Sequence, residues 1–215
     1  RRLEIYLGEK SVIKGEFKSI GLPRFWETDF DITFRDSRIA SEELEGIYMP
    51  WLESHYVKLP DLLHKYRTFD LEGNFKGRIE DFILTAKSET PGLLGSIGLT
   101  YKPDTVAGHR YHGSFRFYHV DYGFLTGQSY LGNGSYFGKY TGYLRDSSSA
   151  FTLNSRIGHV NLFHGSVRNI ALDVHSDNDY MKLSSFVEND SIQARVALDY
   201  TYGGDAIRLA DVSGE

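Results

Sequence analysis

The chain has 215 residues, a net charge of −5 and no cysteine. A chain of this length forms one domain or two small ones. Its acidic balance argues against a protein that holds nucleic acid through phosphate contacts, and the lack of cysteine excludes disulfides and cysteine-based zinc sites. No apolar run approaches the ~18 residues of a transmembrane helix. The sequence begins at Arg1 rather than at Met, so we expect it to be an excerpt of a longer protein.

Composition and periodicity both predict β structure in the first part of the chain. The chain contains 22 glycines and 14% aromatic residues, a combination that favours strands over helices. Apolar and polar residues alternate from Leu3 to Leu7 and again from Phe30 to Phe34. Alternation gives each strand one apolar and one polar face, which is typical of antiparallel sheets and solenoids. Residues 1–40 are therefore predicted to form a first β block.

The pattern changes between residues 41 and 66. Ser41, followed by Glu42 and Glu43, resembles a capped first helical turn. Pro60 precedes Asp61–Lys65 and is tolerated in the first turn of a helix. We predict one or two short helices here, which interrupt two blocks of sheet.

Residues 67–215 are predicted to form the main β block. The longest alternation runs from Ile192 to Tyr202, and a shorter one runs from Ile170 to Val174. Turn residues such as Thr90-Pro91-Gly92 separate these runs. No proline follows Pro103, so proline removes no backbone donor from the strands of the second half.

Patterns that would indicate catalysis or metal binding are weak. His109 and His112 lie three residues apart, and His159 and His164 five apart, so in strands each pair points to opposite faces and cannot chelate a metal ion. The glycine-rich stretch 132–138 lacks the spacing and the following helix of a phosphate-binding loop. A glycosidase remains open, because its two carboxylates need not be neighbours in sequence. We predict no enzyme activity, no metal and no cofactor.

The apolar face of the strands has two interpretations. It forms either the ordinary closed core of a sandwich or barrel, or the lining of an open groove. The sequence alone favours the closed core. One observation favours the groove: bulky residues occupy the apolar face of nearly every strand, and no long amphipathic helix or second apolar segment is available to cover them. An outer-membrane barrel fits poorly, because the density of charge is high for strands that face lipid.

A series of short motifs follows the chain in a recognisable order. They are Leu7-Gly8-Glu9, Gly15-Glu16-Phe17, Gly21-Leu22-Pro23, Thr28-Asp29-Phe30-Asp31-Ile32, Leu59-Pro60, Gly73-Asn74-Phe75-Lys76-Gly77, Asp81-Phe82, Gly92-Leu93-Leu94-Gly95 and Val167-Arg168-Asn169-Ile170-Ala171-Leu172-Asp173. In this order the chain resembles a periplasmic segment of the TamB family, whose members are translocation and assembly module subunits related to AsmA-like proteins. The resemblance covers nearly the whole chain.

The resemblance implies a fold and a function. The fold would be an elongated, curled antiparallel or solenoid-like sheet, a β-taco, with an apolar concave groove. The parent protein would be anchored in the inner membrane, extend through the periplasm and partner with an Omp85-type outer-membrane barrel. Its cargo would be phospholipid acyl chains or hydrophobic β-strand clients in transit to the outer membrane. The family has no catalytic residues to carry over.

The alternation also assigns candidate groove-lining residues. They are Leu3, Ile5, Leu7, Phe30, Ile32, Phe34, Phe82, Leu84, Ile97, Leu99, Phe115, Phe117, Ile170, Leu172, Val174, Val196 and Leu198. A continuous apolar surface of this kind suits a lipid tail, since burial of each CH₂ group contributes about 0.8 kcal/mol. The alternative function is a ligand-binding β-barrel or glycan-binding β-sandwich of a cell-surface protein, in which tyrosines such as Tyr130 and Tyr136 would stack on sugar.

Overall fold

The structure is a computed structural model of the chain. It describes residues 2–46, 59, 61–104, 108–145, 148–163, 165–178, 180–189, 192–201 and 207–214. The alternating pattern folds as predicted into strands, which make up most of these residues. The all-β prediction is therefore confirmed.

Within the described residues, thirteen strands form a single antiparallel sheet. They are β1 (Arg2–Tyr6), β2 (Val12–Ile20), β3 (Asp29–Ala40), β4 (Thr68–Arg78), β5 (Asp81–Thr90), β6 (Leu93–Asp104), β7 (Gly108–Asp121), β8 (Leu131–Arg145), β9 (Ser148–Leu162), β10 (Gly165–Asp177), β11 (Tyr180–Asn189), β12 (Ile192–Thr201) and β13 (Ile207–Gly214). Each strand pairs with the next one in the chain, so the sheet is a simple meander.

The sheet is open. Within the described residues no pairing joins β1 to β13, and all thirteen strands belong to the same sheet. The interpretation as a closed barrel or a two-sheet sandwich is therefore wrong for this part of the chain. All the described strands belong to one sheet whose two edge strands, β1 and β13, do not pair with each other, so neither a second sheet nor closure of the barrel covers the apolar face.

In the described residues, two short α-helices and two 3₁₀ turns, at Phe25–Glu27 and Asp61–Lys65, accompany the sheet. The helix α1 (Ser41–Glu45) and a 3₁₀ turn at Asp61–Lys65 lie where short helices were predicted, and 47–58 and 60 lie outside the described residues. The role predicted for Ser41 is wrong: α1 is preceded by Ala40, and the Ser41 hydroxyl donates to the Arg67 carbonyl oxygen at 3.4 Å. In the described part of the chain no helix has the length and apolar character needed to cross a membrane.

The second helix, α2 (Tyr122–Thr126), was not predicted. Asp121 caps it by accepting a hydrogen bond from the Phe124 backbone N–H at 2.9 Å. Gly127 ends it with φ of 75°, a left-handed conformation that favours glycine. This helix sits between β7 and β8 and lies beside the 3₁₀ turn at Asp61–Lys65. The Lys65 ammonium group of that turn donates a hydrogen bond to the Phe124 carbonyl oxygen of α2 at 3.2 Å.

The helical segments cover one end of the apolar face. Tyr66, Phe69, Leu93 and Val120 form a buried cluster there. The Tyr66 hydroxyl donates to the Gly92 carbonyl oxygen at 2.6 Å, and its ring lies 5.1 Å from the ring of Phe124. The cluster fixes the helical segments to the sheet, and the rest of the apolar face extends away from it.

Irregular pairing favours curvature of the sheet. The register shifts between β2 and β3, β3 and β4, β6 and β7, β7 and β8, and β8 and β9. At Gly113 an added Cβ would collide with the Gly98 carbonyl oxygen, so the backbones approach more closely than another residue would allow. Bulges and glycine kinks are the devices that bend a sheet. The curl of the predicted groove stays a prediction.

Candidate functional site

Directly paired residues of neighbouring antiparallel strands share one face of a sheet, so the register identifies the two faces. One unbroken row crosses all thirteen strands, and we call it the central row. It consists of Leu3, Gly15, Phe34, Gly73, Ala86, Ile97, Phe115, Gly138, Ser155, Leu172, Ser185, Val196 and Val212. The side of the sheet that carries this row is here called the apolar face.

Sixteen of the seventeen predicted groove residues lie in strands on the apolar face. Six of them belong to the central row: Leu3, Phe34, Ile97, Phe115, Leu172 and Val196. The other ten, including Ile5, lie on the same face to either side of that row. The exception is Leu7, which follows the end of β1. Period-2 alternation alone therefore brings these residues to one face, while their function as a groove lining stays a prediction.

Exposure differs among the predicted residues. Phe30 and Phe82 are buried, whereas Ile5 and Ile97 are about 40% exposed and most of the others are half-buried. Phe117 packs against the buried cluster at the end of the sheet. The part of the apolar face available to a ligand therefore lies away from Phe117.

Sequence analysis missed several aromatic residues of the same face. Phe75 stacks on Phe82 at 4.9 Å, Phe82 stacks on Tyr101 at 5.3 Å, and Tyr101 stacks on His109 at 5.1 Å. These contacts form a ladder across β4 to β7. The sequence did carry a signal for Tyr111 on this face. In Tyr111-x-Gly113-x-Phe115 the alternation of β7 continues from Phe115 to Tyr111, with a glycine at the position between them.

Large residues on the apolar face lie over glycines of the next strand. Tyr140 pairs with Gly113, and its hydroxyl passes beyond that glycine to donate to the Gly98 carbonyl oxygen at 2.9 Å. Phe34 pairs with Gly73 in the same manner. Such pairing lets a ring lie flat on the backbone, which fills the space that the glycine leaves. The glycines therefore provide the space in which the rings pack against the backbone.

Burial raises the pKa of several tyrosine hydroxyl groups on this face. It raises the pKa of Tyr101 and Tyr140 to about 12, and it raises the pKa of Tyr111 in the same direction. Burial disfavours the charged phenolate, so these side chains are neutral at physiological pH. The apolar face therefore carries no charge from its tyrosines.

A concavity lies over the opposite side of the sheet, here called the polar face. Its volume is about 1100 Å³, and its lining runs from β3 to β10. Most lining residues, among them Thr85, Arg116 and Asn154, occupy positions between those of the apolar face. Only Phe34, Ile97 and Phe115 of the predicted groove residues contribute to it, from the central row. Sequence analysis did not predict this concavity.

Histidines and carboxylates do not form a metal site here. Within the described residues no group of three or more His, Asp or Glu side chains is placed to hold a metal ion. His109 stacks on Tyr101 on the apolar face, and His112 lies at the opposite parity of β7, as predicted. His159 contacts the Ser135 hydroxyl at 3.1 Å, while His164 lies outside the described residues.

Comparison with known proteins adds nothing to this geometry. No protein-family model, curated protein or solved structure matches the chain.

Proposed function

We propose that this chain is a groove segment of a TamB- or AsmA-like protein that shields phospholipid acyl chains or hydrophobic β-strand clients between the inner and outer membranes. The observation that carries the proposal is the central row, which crosses thirteen strands without a change of face. In this proposal the parent protein is anchored in the inner membrane, the segment lies in the periplasm, and an Omp85-type barrel receives the cargo.

The shape of the apolar face supports a long apolar ligand. Its rows run across the strands, at right angles to the chain direction, with a step of about 4.8 Å per strand. Twelve such steps give a path of roughly 55–60 Å, much longer than one acyl chain. Apart from the bulges, backbone polar groups stay paired in the ladder along this path, so a hydrocarbon tail meets few unsatisfied donors or acceptors from the described part of the sheet.

The energetics also support this function. A tail of a dozen CH₂ groups, at about 0.8 kcal/mol each, gains on the order of 10 kcal/mol gross before the costs of association and ordering. Half-buried residues such as Leu99 and Leu172 offer part of their surface to a ligand without needing to unfold. No nucleophile or energy source is required for passive shielding in this segment.

The helical segments cover one end of the apolar face, which limits where a lipid tail could lie. Phe117 and Tyr136 pack against the buried cluster beneath the helical segments. Rows farther from α2 are free of this cover, so a tail would lie over the rows that contain Leu99 and Leu172. This geometry decides where a crosslinker should be placed.

Photocrosslinking tests the proposal on the two faces. Photoreactive residues at Leu99 and Leu172 in the 215-residue chain, mixed with phospholipid vesicles, should form lipid adducts detected by mass spectrometry. The same residues at Arg116 and Asp173, which are exposed on the polar face, should form few or none.

Native mass spectrometry of the purified chain provides a second measurement. We expect phospholipid to remain bound in the gas phase and to be lost when the apolar face is altered. Equal labelling of both faces, or no adduct at Leu99 and Leu172, would contradict the proposed function.

A further inference from the structure

We propose that the concavity on the polar face binds an acidic oligosaccharide, a chain of sugar rings that carry carboxylate or phosphate groups. This inference concerns the face opposite the proposed lipid path and goes beyond the proposed function. It rests on an unbalanced positive charge, an exposed aromatic ring and a lining rich in hydroxyl and amide groups.

The positive charge is concentrated in a small area. Arg116, Lys139 and Arg156 lie on the consecutive strands β7, β8 and β9 and line the concavity together with Arg35. Arg116 and Arg156 are separated by one intervening strand, which places their backbones about 10 Å apart. This cluster is unusual in a chain of net charge −5.

The cluster is not neutralised from within. Lys87, at the edge of the concavity, is bonded to Glu72 at 2.8 Å and to Glu89 at 2.9 Å. In contrast, no ion pair between described residues includes Arg116, Lys139 or Arg156. All three side chains are exposed, so their charges are available to a ligand.

An aromatic ring occupies the middle of the cluster. Phe137 pairs directly with Arg116 on one side and with Arg156 on the other. Its side chain is 39% exposed, unlike the half-buried rings of the apolar face. An apolar ring between two guanidinium groups offers a flat surface for a sugar ring and charge-assisted donors for the anionic groups beside it.

The same alternation continues along this row. Phe186 and Arg195 occupy its next positions beyond Ala171, and the Arg195 guanidinium lies 5.6 Å from the Phe186 ring centre. The row thus repeats basic and aromatic groups over β7 to β12. A repeating ligand matches this arrangement better than a single ion does.

The remaining lining decides between ligand classes. Ser96, Ser114 and Asn154 supply neutral donors and acceptors, and Glu72 and Asp173 supply acceptors at either side. Sugar hydroxyls can use both kinds of group, because they donate to the carboxylates and accept from the amide and hydroxyl groups, whereas the phosphates of RNA can only accept. A concave surface also fits an elongated ligand better than it fits a flat bilayer.

The test is a titration of the 215-residue chain with a hexamer of mannuronate, followed by calorimetry. Maltohexaose is the neutral control, and polyphosphate of equal charge is the control without sugar rings. We expect the mannuronate hexamer to bind at low ionic strength, maltohexaose to bind at least tenfold more weakly, and added salt to weaken the complex.

Variants locate the site. The double change Arg116→Ala and Arg156→Ala should weaken binding at least tenfold, and Phe137→Ala should weaken it about threefold. Arg145→Ala removes an exposed arginine at the end of β8, outside the concavity, and should leave the affinity unchanged. Thermal unfolding of each variant verifies that the sheet is retained, and lipid adducts at Leu172 should persist in all of them.

Several results would overturn the inference. They are the absence of mannuronate binding, binding that is insensitive to the arginine changes, and equal binding of polyphosphate with no effect of Phe137→Ala. Binding to anionic vesicles through Arg116 and Arg156 in place of the saccharide would also overturn it. Because lipid adducts are measured separately on the apolar face, failure here is distinguishable from failure of the proposed function.

Discussion

On the apolar face, Phe82 and Tyr101 stack at 5.3 Å and are almost fully buried, whereas on the polar face Lys87 and Glu72 meet at 2.8 Å with about half of each side chain in solvent. The first contact removes aromatic surface from water, and the second gains little because water screens it. Stability therefore resides mainly on the apolar face, and the polar face is free to be specialised for binding. Substitutions at matched positions on the two faces test this difference.

The largest expected effect is on lipid binding by Leu172→Asp. A half-open face lets the ionised Asp keep part of its hydration, so the protein should still fold, while an acyl chain would meet the charge and its water shell. We expect at least a tenfold loss of lipid adducts at Leu99 with a comparatively small drop in melting temperature, and the same outcome for Val196→Asp.

His175→Asp is the matched control for that substitution. His175 lies on the same strand as Leu172, is exposed on the polar face, and is paired with Lys182 of β11, so a carboxylate is tolerated there. Lipid adducts should be unchanged. If Leu172→Asp and Val196→Asp both fail to fold, the apolar face behaves as a closed core and the lipid path is wrong.

The next effect concerns two glycines on opposite faces. Gly113→Ala would place a methyl group against the Gly98 carbonyl and the Tyr140 ring, and should lower the free energy of unfolding by about 2–3 kcal/mol. Gly98→Ala points into open space on the polar face and should raise it by roughly 0.5 kcal/mol. Urea denaturation measures both, and equal effects would show that the faces are packed alike.

A smaller difference in stability is expected between Phe variants of two tyrosines on the apolar face. Tyr140→Phe removes the hydrogen bond to the Gly98 carbonyl and should cost about 1 kcal/mol. Within the described residues the Tyr101 hydroxyl is buried without a hydrogen-bond partner, so Tyr101→Phe should leave stability unchanged or raise it by up to about 1 kcal/mol. Chemical denaturation of the two variants tests this; a marked loss in Tyr101→Phe would contradict it.

The smallest effect is on the free energy of unfolding at alkaline pH, and near neutral pH it is absent. Burial raises the pKa of Tyr66, Tyr101 and Tyr140 to about 12, above the ordinary value of 10. The unfolded chain therefore loses protons first, so the free energy of unfolding should be constant in this respect below pH 10 and fall from pH 10 to 12. Denaturation at stepwise pH should show a shallower fall in Tyr101→Phe than in the native chain.

Which residues share a face of the sheet could be predicted from the sequence, because an alternation of period 2 depends only on neighbouring residues. Phe115 and Leu172 lie on the same face through three successive pairings that no local pattern contains, yet alternation assigned both correctly. The helix α2 was missed because five residues are too few for helical periodicity. Asp121 before it and Gly127 after it were the available signals.

The concavity on the polar face could not be predicted. Its position depends on how bulges bend the sheet, and a bulge is visible only when both paired strands are known. The bulge between Phe34 and Ser37, where Asp36 has φ of 48°, has no signature in β3 alone. The clustering of Arg116 and Arg156 likewise depends on register, since 40 residues separate them in the chain.

The meander also governs how the chain acquires its structure. Every strand pairs with its immediate predecessor, so each pairing can form as soon as the next strand is available. Folding can proceed from β1 to β13 by addition to a growing edge, with little loop-closure entropy at each step. A polypeptide that emerges gradually from a ribosome or a secretion channel can therefore pair each strand as it appears. During this growth the edges exposed to unwanted pairing are β1 and the newest strand.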